Sequence, residues 1–322
     1  MASSGQQVKN GKAFEYAIAK TYFDYITSLG VPVELVDSDA LRTAKSFYET
    51  FSDLDKQRFD NAASNTISSL VKIEPGLTTH GKKSDVLKIA LNGDVAGETG
   101  DVRDIVFSHN NPSWEIGFSA KNNNDAVKHS RLGKDLDFGK VWLGYPCSAE
   151  YWNDIKPIFT LIENHISQCH TWNDLGVSKE RDIYIPILKA FRKELLLICS
   201  HHSDVPKKLI EYLIGSYPFY KIIKDDSHNM VVVKAFNIKG DLNKSYMGCK
   251  SAYSVPKINY PTRIVELEFK KNSNNTLNMI LDGGWEISFR IHNASTKVER
   301  SLKFDIKLLG NPPILFTQYI FQ

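Results

Sequence analysis

Hydrophobic residues near the start of the chain recur at steps of three and four, which is the spacing of one face of an α-helix. One such stretch runs from residue 11 to about residue 29. A second runs from residue 38 to about residue 71, with Ser38 or Asp39 as its N-cap and the Glu-Pro-Gly sequence at 74–76 as its end. The pattern predicts two long amphipathic helices at the start of the chain.

After residue 85 the pattern changes to the alternation that is typical of β-strands. Strands are predicted over 86–91, 102–108 and 114–121, and the glycine-containing turn NGDVAGETGD and the turn HNNPS connect them. Helical spacing returns at about 124–132, 149–168, 179–200 and 205–214. Beyond Tyr217 the chain is β-rich, with strands predicted over 230–236, 263–269, 285–291 and 301–308. The order of elements predicts an α/β part over 1–200 and a β-rich part over 201–322, joined between 200 and 218.

The composition is that of an ordinary folded protein, with 42% hydrophobic and 24% charged residues. Apolar runs stay well below the roughly 18 to 20 residues that span a bilayer, and the polar N-terminus does not resemble a secretory signal. We therefore expect a cytoplasmic protein. The four cysteines are widely spaced, which favours reduced thiols; zinc bound by Cys199 with His201 and His202 is the weaker alternative.

The net charge of +3 is small, but the charge is unevenly distributed. Residues 201–322 contain 17 basic and 11 acidic side chains, whereas residues 1–200 contain 23 and 26. A basic C-terminal part favours docking on a polyanion, and a mildly acidic N-terminal part suits cation binding. A chance excess of solvated lysines would give the same numbers, so charge alone does not decide.

The residues that suggest chemistry lie on the predicted hairpin of 102–121. Because side chains alternate along a strand, Ser119 and Lys121 share one face, with Glu115 and Gly117 further back on it. The hairpin brings Asp104, at the beginning of the preceding strand, close to Ser119 and Lys121. Phosphodiester hydrolysis needs such a group, since a carboxylate binds Mg²⁺ and a lysine stabilises the charge that develops on the phosphate.

This pattern resembles the PD-(D/E)xK nuclease signature, in which an aspartate begins one strand and an acid-x-Lys ends the next. Two positions differ: Arg103 replaces the proline, and Ser119 replaces the second acid. Other carboxylates are therefore candidates for the second metal ligand: Glu98, Asp101, Glu115 and Glu15. The sequence GKAFEYAIAKTY resembles the N-terminal helix of many such nucleases, and this resemblance implies that Glu15 points into the site. A solvated hairpin and a solvated helix glutamate are the alternative interpretation.

Two longer segments, SAKNNNDAVKHSRL at 119–132 and DGGWEISFRIHNASTKVERSLKFDI at 282–306, resemble the HaeIII family of type II restriction endonucleases. The resemblance extends from about Gly11 to Ile306. It implies a restriction-endonuclease-like mixed sheet flanked by helices, cleavage of double-stranded DNA at the palindrome GGCC, Mg²⁺ dependence and a companion methyltransferase. It also implies 5′-phosphate and 3′-hydroxyl ends. A two-fold target favours a homodimer.

Polar side chains around the hairpin and on the C-terminal strands are the candidates for DNA binding. Amide, hydroxyl and guanidinium groups suit phosphate oxygens, and GGCC requires donors to guanine, for which Arg290 is the best candidate. Helix capping and a solvated sheet face would explain the same residues. The first group is Asn122, Asn123, His129, Ser130 and Arg131, and the second is Arg290, His292, Asn293, Ser295, Lys297 and Lys303.

Two other functions remain open at this stage. Ser119 in the acid position is also compatible with a sequence-specific DNA-binding protein whose nuclease site has decayed. A structure-selective repair nuclease would retain the chemistry on a different substrate.

Overall fold

The computed structural model describes residues 4–93, 100–123, 126–166, 171–310 and 312–321. The α-helices are α1 (Ser4–Ser28), α2 (Asp39–Glu49), α3 (Asp53–Ile73), α4 (Ala149–Ile166), α5 (Ile185–His201) and α6 (Val205–Ile214). The strands are β1 (Val33–Leu35), β2 (Leu87–Leu91), β3 (Ile105–Asn110), β4 (Ser113–Asn122), β5 (Ala126–Gly133), β6 (Phe219–Asp225), β7 (Met230–Phe236), β8 (Ile264–Phe269), β9 (Thr276–Leu281), β10 (Glu286–His292), β11 (Ser301–Gly310) and β12 (Thr317–Phe321). Helices and a mixed sheet confirm the predicted α/β class.

The chain forms two compact units, and both are discontinuous in sequence. The first unit consists of Met1–Asp125, Gly215–Ile258 and Ile314–Gln322, and the second consists of Ala126–Ile214 and Asn259–Pro313. These units do not follow the expected boundary at residue 200, because the chain leaves the first sheet after β4 and returns to it at β6. Which part carries chemistry and which carries recognition stays a prediction.

The first unit contains a seven-stranded sheet in the order β1-β2-β3-β4-β6-β7-β12. The pairs β1–β2 and β4–β6 are parallel and the other pairs are antiparallel. Helix α1 packs on this sheet through the ring of Tyr22, which lies 5.4 Å from that of Phe107 and 5.3 Å from that of Phe118. This packing fixes the position of α1 over the β3–β4 hairpin.

The predicted helix over 38–71 is two helices. Ser38 caps α2 as expected, but α2 ends at Glu49 and Ser52 caps α3 by accepting a hydrogen bond from the backbone N–H of Asp55. A serine at the N-cap satisfies one of the free N–H groups of a new helix. The hydrophobic spacing did not reveal this interruption.

The second unit contains a five-stranded antiparallel sheet in the order β5-β11-β10-β9-β8. One face of this sheet is buried under aromatic side chains: Phe191 of α5 contacts Phe289 of β10 and Phe304 of β11, with ring centroids 5.5 and 5.0 Å apart. The other face carries the polar residues of β10 and β11. We call this the open face, and it consists of Arg131, Asn278, Ser288, Arg290, His292, Lys303, Asp305 and Lys307.

The predicted helix over 124–132 is wrong, because residues 126–133 form strand β5 and pair with β11. The alternation of a strand was hidden, since polar side chains occupy the inward positions. Lys128 donates to the backbone oxygen of Tyr212 at 3.0 Å, and the Ser130 hydroxyl bonds the Tyr212 hydroxyl at 2.9 Å. The proposed helix cap at Asn124 or Asp125 lies outside the described residues.

Strands β1, β6, β9 and β12 were not predicted. In β6 all residues except the last are buried, so the strand has no polar face to produce an alternation. In the described part of the chain, no helix combines the length and the apolar character needed to cross a membrane.

Candidate active site

Asp104 lies at the point where the chain enters β3. Its backbone N–H donates to the carbonyl oxygen of Phe118 on β4 at 2.8 Å, which extends the antiparallel ladder by one step. Val106 pairs with Gly117 and Ser108 pairs with Glu115, so the two strands share the face that the alternation predicts. The fold therefore places the side chain of Asp104 beside those of Ser119 and Lys121.

Three donors from β4 converge on one oxygen of the Asp104 carboxylate. Oδ2 accepts hydrogen bonds from Ser119 Oγ at 3.1 Å, from the backbone N–H of Ala120 at 2.8 Å and from Lys121 Nζ at 3.2 Å. No hydrogen bond from a described residue reaches Oδ1. Within the described ranges, the carboxylate is therefore held by one oxygen, and the other is available to a cation.

Glu15 of α1 belongs to the same electrostatic group. It is 6% exposed, and Lys12, one helical turn earlier, donates to Glu15 Oε2 at 3.1 Å. Burial is the main cause that raises the pKa of Glu15 to about 8, and the negative charge of Asp104 raises it further, whereas Lys12 and Lys121 lower it. The negative charge of Asp104 therefore opposes ionisation of Glu15, and a bound cation would offset that repulsion.

The structure assigns other partners to Asp101 and Glu115. Arg103 binds Asp101 through Nε at 2.8 Å and Nη2 at 2.7 Å, and its Nη1 binds Glu115 Oε1 at 2.6 Å. Neither carboxylate joins the Asp104 group, so the expectation that they are metal ligands is not supported. Glu98 lies outside the described residues.

Asp104 and Glu15 suit a magnesium ion, because Mg²⁺ usually keeps several waters and takes one or two protein carboxylates together with phosphate oxygens. Among the described residues, no group of three or more His, Cys, Asp or Glu side chains stands ready to hold a metal. That excludes a preformed protein cage there but not a two-carboxylate site. The zinc alternative also lacks support, since His202 stacks on Tyr145 with ring centroids 3.6 Å apart.

The two asparagines after Lys121 differ in their surroundings. Asn123, at φ +54°, exchanges hydrogen bonds with Asp226: its Nδ2 donates at 2.6 Å and its Oδ1 accepts from the Asp226 N–H at 2.8 Å. Asn122 lines a cavity of about 270 Å³, and its Oδ1 is buried with no hydrogen-bond partner in the described residues. Asn123 therefore closes the end of β4, and Asn122 keeps an unused amide oxygen.

The remaining candidates of the first DNA-binding group, His129, Ser130 and Arg131, lie on β5, and successive side chains of a strand point to opposite faces of the sheet. Ser130 is buried and points toward Tyr212, away from the open face, which contradicts its expected contact with DNA. Arg131 lies on the open face, bonded to Ser301 Oγ at 2.7 Å and 3.2 Å from Glu299. The backbone of His129 pairs with Asp305, and its side chain lies outside the described part.

On the open face, Arg290 is exposed, and its guanidinium makes no hydrogen bond or ion pair within the described ranges. His292 instead bonds Asp305 Oδ2 and the Asn293 carbonyl oxygen, both at 2.8 Å, and Lys303 Nζ lies 3.7 Å from Asp305. Arg290 is thus the side chain of this face best prepared to accept a new partner.

The loop after β10 is held mainly by its own polar groups. Asn293 accepts from the Tyr184 hydroxyl at 3.0 Å and donates to the Ser295 carbonyl oxygen at 2.6 Å, and Ser295 Oγ donates to the Lys297 carbonyl oxygen at 3.0 Å. The side chains of Asn293 and Ser295 therefore stabilise the turn, and Lys297 is exposed.

Sequence reasoning missed Lys12 and Arg103. Lys12 stands three residues before Glu15, a spacing that places the two side chains on one helix face, so a signal for it was present. For Arg103 the neighbouring Asp101 was a local signal, but its other partners, Glu115 on β4 and Tyr217, come from other segments of the chain.

Comparisons with known proteins show which family the chain belongs to. The model of the HaeIII restriction endonuclease family matches residues 11–312. A type II restriction enzyme named HaeIII, from Haemophilus aegyptius, is 39% identical over 310 residues, which are 96% of this chain and 96% of that protein. No solved structure matches the chain. The chain belongs to the HaeIII restriction endonuclease family.

Proposed function

We propose that this protein cleaves double-stranded DNA at GGCC with Mg²⁺, using Asp104, Glu15 and Lys121 in the first unit. The observation that supports this best is a fixed carboxylate with a lysine 3.2 Å from it, together with a buried glutamate whose pKa the negative charge of that carboxylate raises. Membership in the family makes the chain a site-specific nuclease. The metal, the sequence and the residue roles belong to the proposal.

Asp104 and Glu15 would hold the cation, and the Asp104 oxygen Oδ2 is the one that β4 already binds. When bound, Mg²⁺ supplies a Lewis acid that activates water and offsets charge on the phosphate. Lys121 orients the attacking water and stabilises the negative charge that grows on the phosphoryl oxygens. Ser119 and the Ala120 N–H fix the Asp104 carboxylate, so it needs little reorganisation during the reaction. The 3′ oxygen leaves, giving 5′-phosphate and 3′-hydroxyl ends.

Recognition belongs to the open face of the second unit in this proposal. The free guanidinium of Arg290 suits bidentate binding to guanine O6 and N7. Lys297 and Lys303 contact phosphates, and Arg131 and His292 assist from the neighbouring positions. In the first unit, Asn122 lines a cavity and contacts the nucleic acid or its water shell there.

The partners follow from the substrate. A palindromic target favours a homodimer, since protein symmetry commonly mirrors the symmetry of the site. A nuclease with a four-base target requires a methyltransferase that modifies the same target in the host's own DNA. We expect both enzymes in the cytoplasm, where they have access to the chromosome.

The direct test is digestion of plasmid DNA by the purified protein with Mg²⁺. Discrete fragments with ends inside GGCC are expected, and prior methylation of GGCC should prevent them. Lys121→Ala should lower the cleavage rate by about 100- to 1,000-fold. The matched control is Lys45→Ala on α2, where the lysine is exposed and lies 3.8 Å from Glu49.

A DNA-binding protein with a decayed site makes a different prediction. It would bind GGCC duplexes and cut none of them with any divalent cation. Ser119 motivated that alternative, but in this fold Ser119 supports Asp104 and Glu15 offers the second carboxylate. Intact plasmid after digestion with Mg²⁺ or Mn²⁺, together with a positive gel shift, would reverse this preference.

A further inference from the structure

We propose that Arg103 is a positioning residue, which fixes the segment carrying Asp104 in the place where the PD-(D/E)xK signature has a proline. The inference rests on the proposed function, because it assigns Asp104 to the reaction. A proline restricts its own backbone torsion φ and the conformation of the residue before it. Here an arginine side chain holds the segment from several directions through contacts within the first unit.

The guanidinium of Arg103 connects two segments by charged hydrogen bonds. It binds both oxygens of Asp101 at 2.8 and 2.7 Å, and Glu115 of β4 at 2.6 Å. The Arg103 N–H also donates to Asp101 Oδ1 at 3.1 Å, which closes the loop on itself. The Arg103 side chain is 7% exposed and that of Asp101 is 15% exposed, so this ion pair is better shielded from water than a surface pair, whereas the Glu115 side chain is 49% exposed.

The aliphatic part of Arg103 lies directly on β4 at Gly117. A Cβ atom at position 117 would stand 2.0 Å from Arg103 Cδ and 2.5 Å from its Cγ. Any side chain at 117 would therefore displace Arg103 or separate the two strands. The glycine on the catalytic face of β4, which the alternation did not explain, makes room for this arginine.

The segment of 215–217 holds the same loop from another side. The ring of Tyr217 lies 4.3 Å from the Arg103 guanidinium carbon, a cation–π contact. The Ser216 N–H donates to the Gly100 carbonyl oxygen at 3.2 Å. Gly215, at φ +79°, approaches the same oxygen so closely that an added Cβ would stand 2.6 Å from it.

The result is that residues 100–103 are fixed on three sides immediately before Asp104. Displacement of a reacting group by about 1 Å can cost about 100-fold in rate. Arg103 also neutralises Asp101 and Glu115, which would otherwise compete with Asp104 and Glu15 for the cation. Its role is thus to keep one carboxylate in register with Ser119 and Lys121 while removing two others from the site.

The test compares Arg103→Met and Arg103→Lys with the wild-type protein on a GGCC duplex. DNA affinity is measured with Ca²⁺, and the single-turnover cleavage rate is measured across a series of Mg²⁺ concentrations. Arg103→Met should cleave about 100-fold more slowly and need more Mg²⁺ for half its maximal rate, at unchanged DNA affinity. Arg103→Lys, which keeps the charge and one donor, should recover part of the rate. Arg42→Met is the matched control, because Arg42 also binds two aspartates but is exposed on α2.

Two further variants keep the inference testable if Arg103→Met does not fold. Gly117→Ala changes no charge and should give the same rate loss and the same higher Mg²⁺ requirement. Glu115→Gln removes one partner at a half-exposed position and should give a smaller loss of the same kind. If every variant loses DNA affinity or folded protein to the same extent as it loses cleavage rate, Arg103 has only a structural role and the inference is wrong.

The outcomes also separate this inference from the proposed function. If the wild-type protein does not cut DNA, the proposed function fails. If the wild-type protein cuts, Lys121→Ala does not, and Arg103→Met cuts at the wild-type rate, the positioning role is overturned and the function stands.

Discussion

The polar groups of the two sheets are arranged differently: they converge on one carboxylate in the first unit and are spread along the strands in the second. On β4 in the first unit, a hydroxyl, a backbone N–H and an ammonium converge on one carboxylate oxygen. On the open face of the second unit, charged groups are spread along β10 and β11, and Arg290 remains without a partner among the described residues.

The difference separates chemistry from binding. Convergence on a partly buried carboxylate fixes a reactive group in advance, and such preorganisation is the main source of electrostatic catalysis. A dispersed row of half-exposed donors and acceptors, with one guanidinium available, suits reading an extended surface such as base edges. Substitutions in the first unit should therefore change the rate, and those on the open face should change affinity.

After the loss expected for Lys121→Ala, the largest effect is expected at Glu15. Glu15→Gln removes the second carboxylate, so we expect cleavage to slow by about 100-fold and the Mg²⁺ concentration for half-maximal rate to rise, at unchanged DNA affinity. Single-turnover kinetics over a Mg²⁺ series measures both quantities. Glu49→Gln, at an exposed glutamate of α2, is the control. A variant at Glu15 that cuts like the wild type would remove α1 from the site.

The next effect concerns Arg290. Arg290→Ala should weaken binding to GGCC by about 10- to 100-fold, because a good bidentate contact to guanine contributes about 1–3 kcal/mol of discrimination. Binding to unrelated duplexes should change little. A gel shift at fixed salt measures both affinities. Ser130→Ala on β5 is the control, since Ser130 points to Tyr212 on the other face; if it weakened binding as much as Arg290→Ala, the assignment of the open face would be wrong.

The smallest effect is expected at Glu74, a buried carboxylate outside the Asp104 group. It tests whether burial alone makes a carboxylate part of the catalytic site. Burial is the main cause that raises the pKa of Glu74 to about 7, although Tyr220 and the Asn243 N–H donate to it at 2.5 and 2.6 Å. Because the folded state holds this proton more tightly than the unfolded state, the free energy of unfolding should fall as pH rises from about 4.5 to 7. Glu74→Gln should remove about 1–3 kcal/mol of that pH dependence and leave cleavage unchanged.

Chemical denaturation at several pH values, beside a cleavage assay, measures this pair of outcomes. If Glu74→Gln has the same pH dependence as the wild-type protein, the pKa of Glu74 does not differ between the folded and the unfolded state. A loss of cleavage at full stability would mean that Glu74 takes part in the reaction, and the contrast between converging and merely buried groups would fail.

The sequence determined the hairpin, the shared face of Ser119 and Lys121 and the approach of Asp104, because these depend on alternation and on a short turn. It determined the amphipathic helix that carries Glu15, and its two longer segments resembled the family that the comparisons later showed. Local periodicity and local spacing are sufficient for such features.

Only the tertiary structure decided the rest. Strand β5 was mistaken for a helix because Lys128 and Ser130 bond Tyr212 from a distant helix, and no local pattern contains that information. The same holds for two contacts of Arg103, because Glu115 and Tyr217 are far from it in the sequence. Contacts between residues far apart in the chain depend on the packing of whole elements, and periodicity describes each element only by itself.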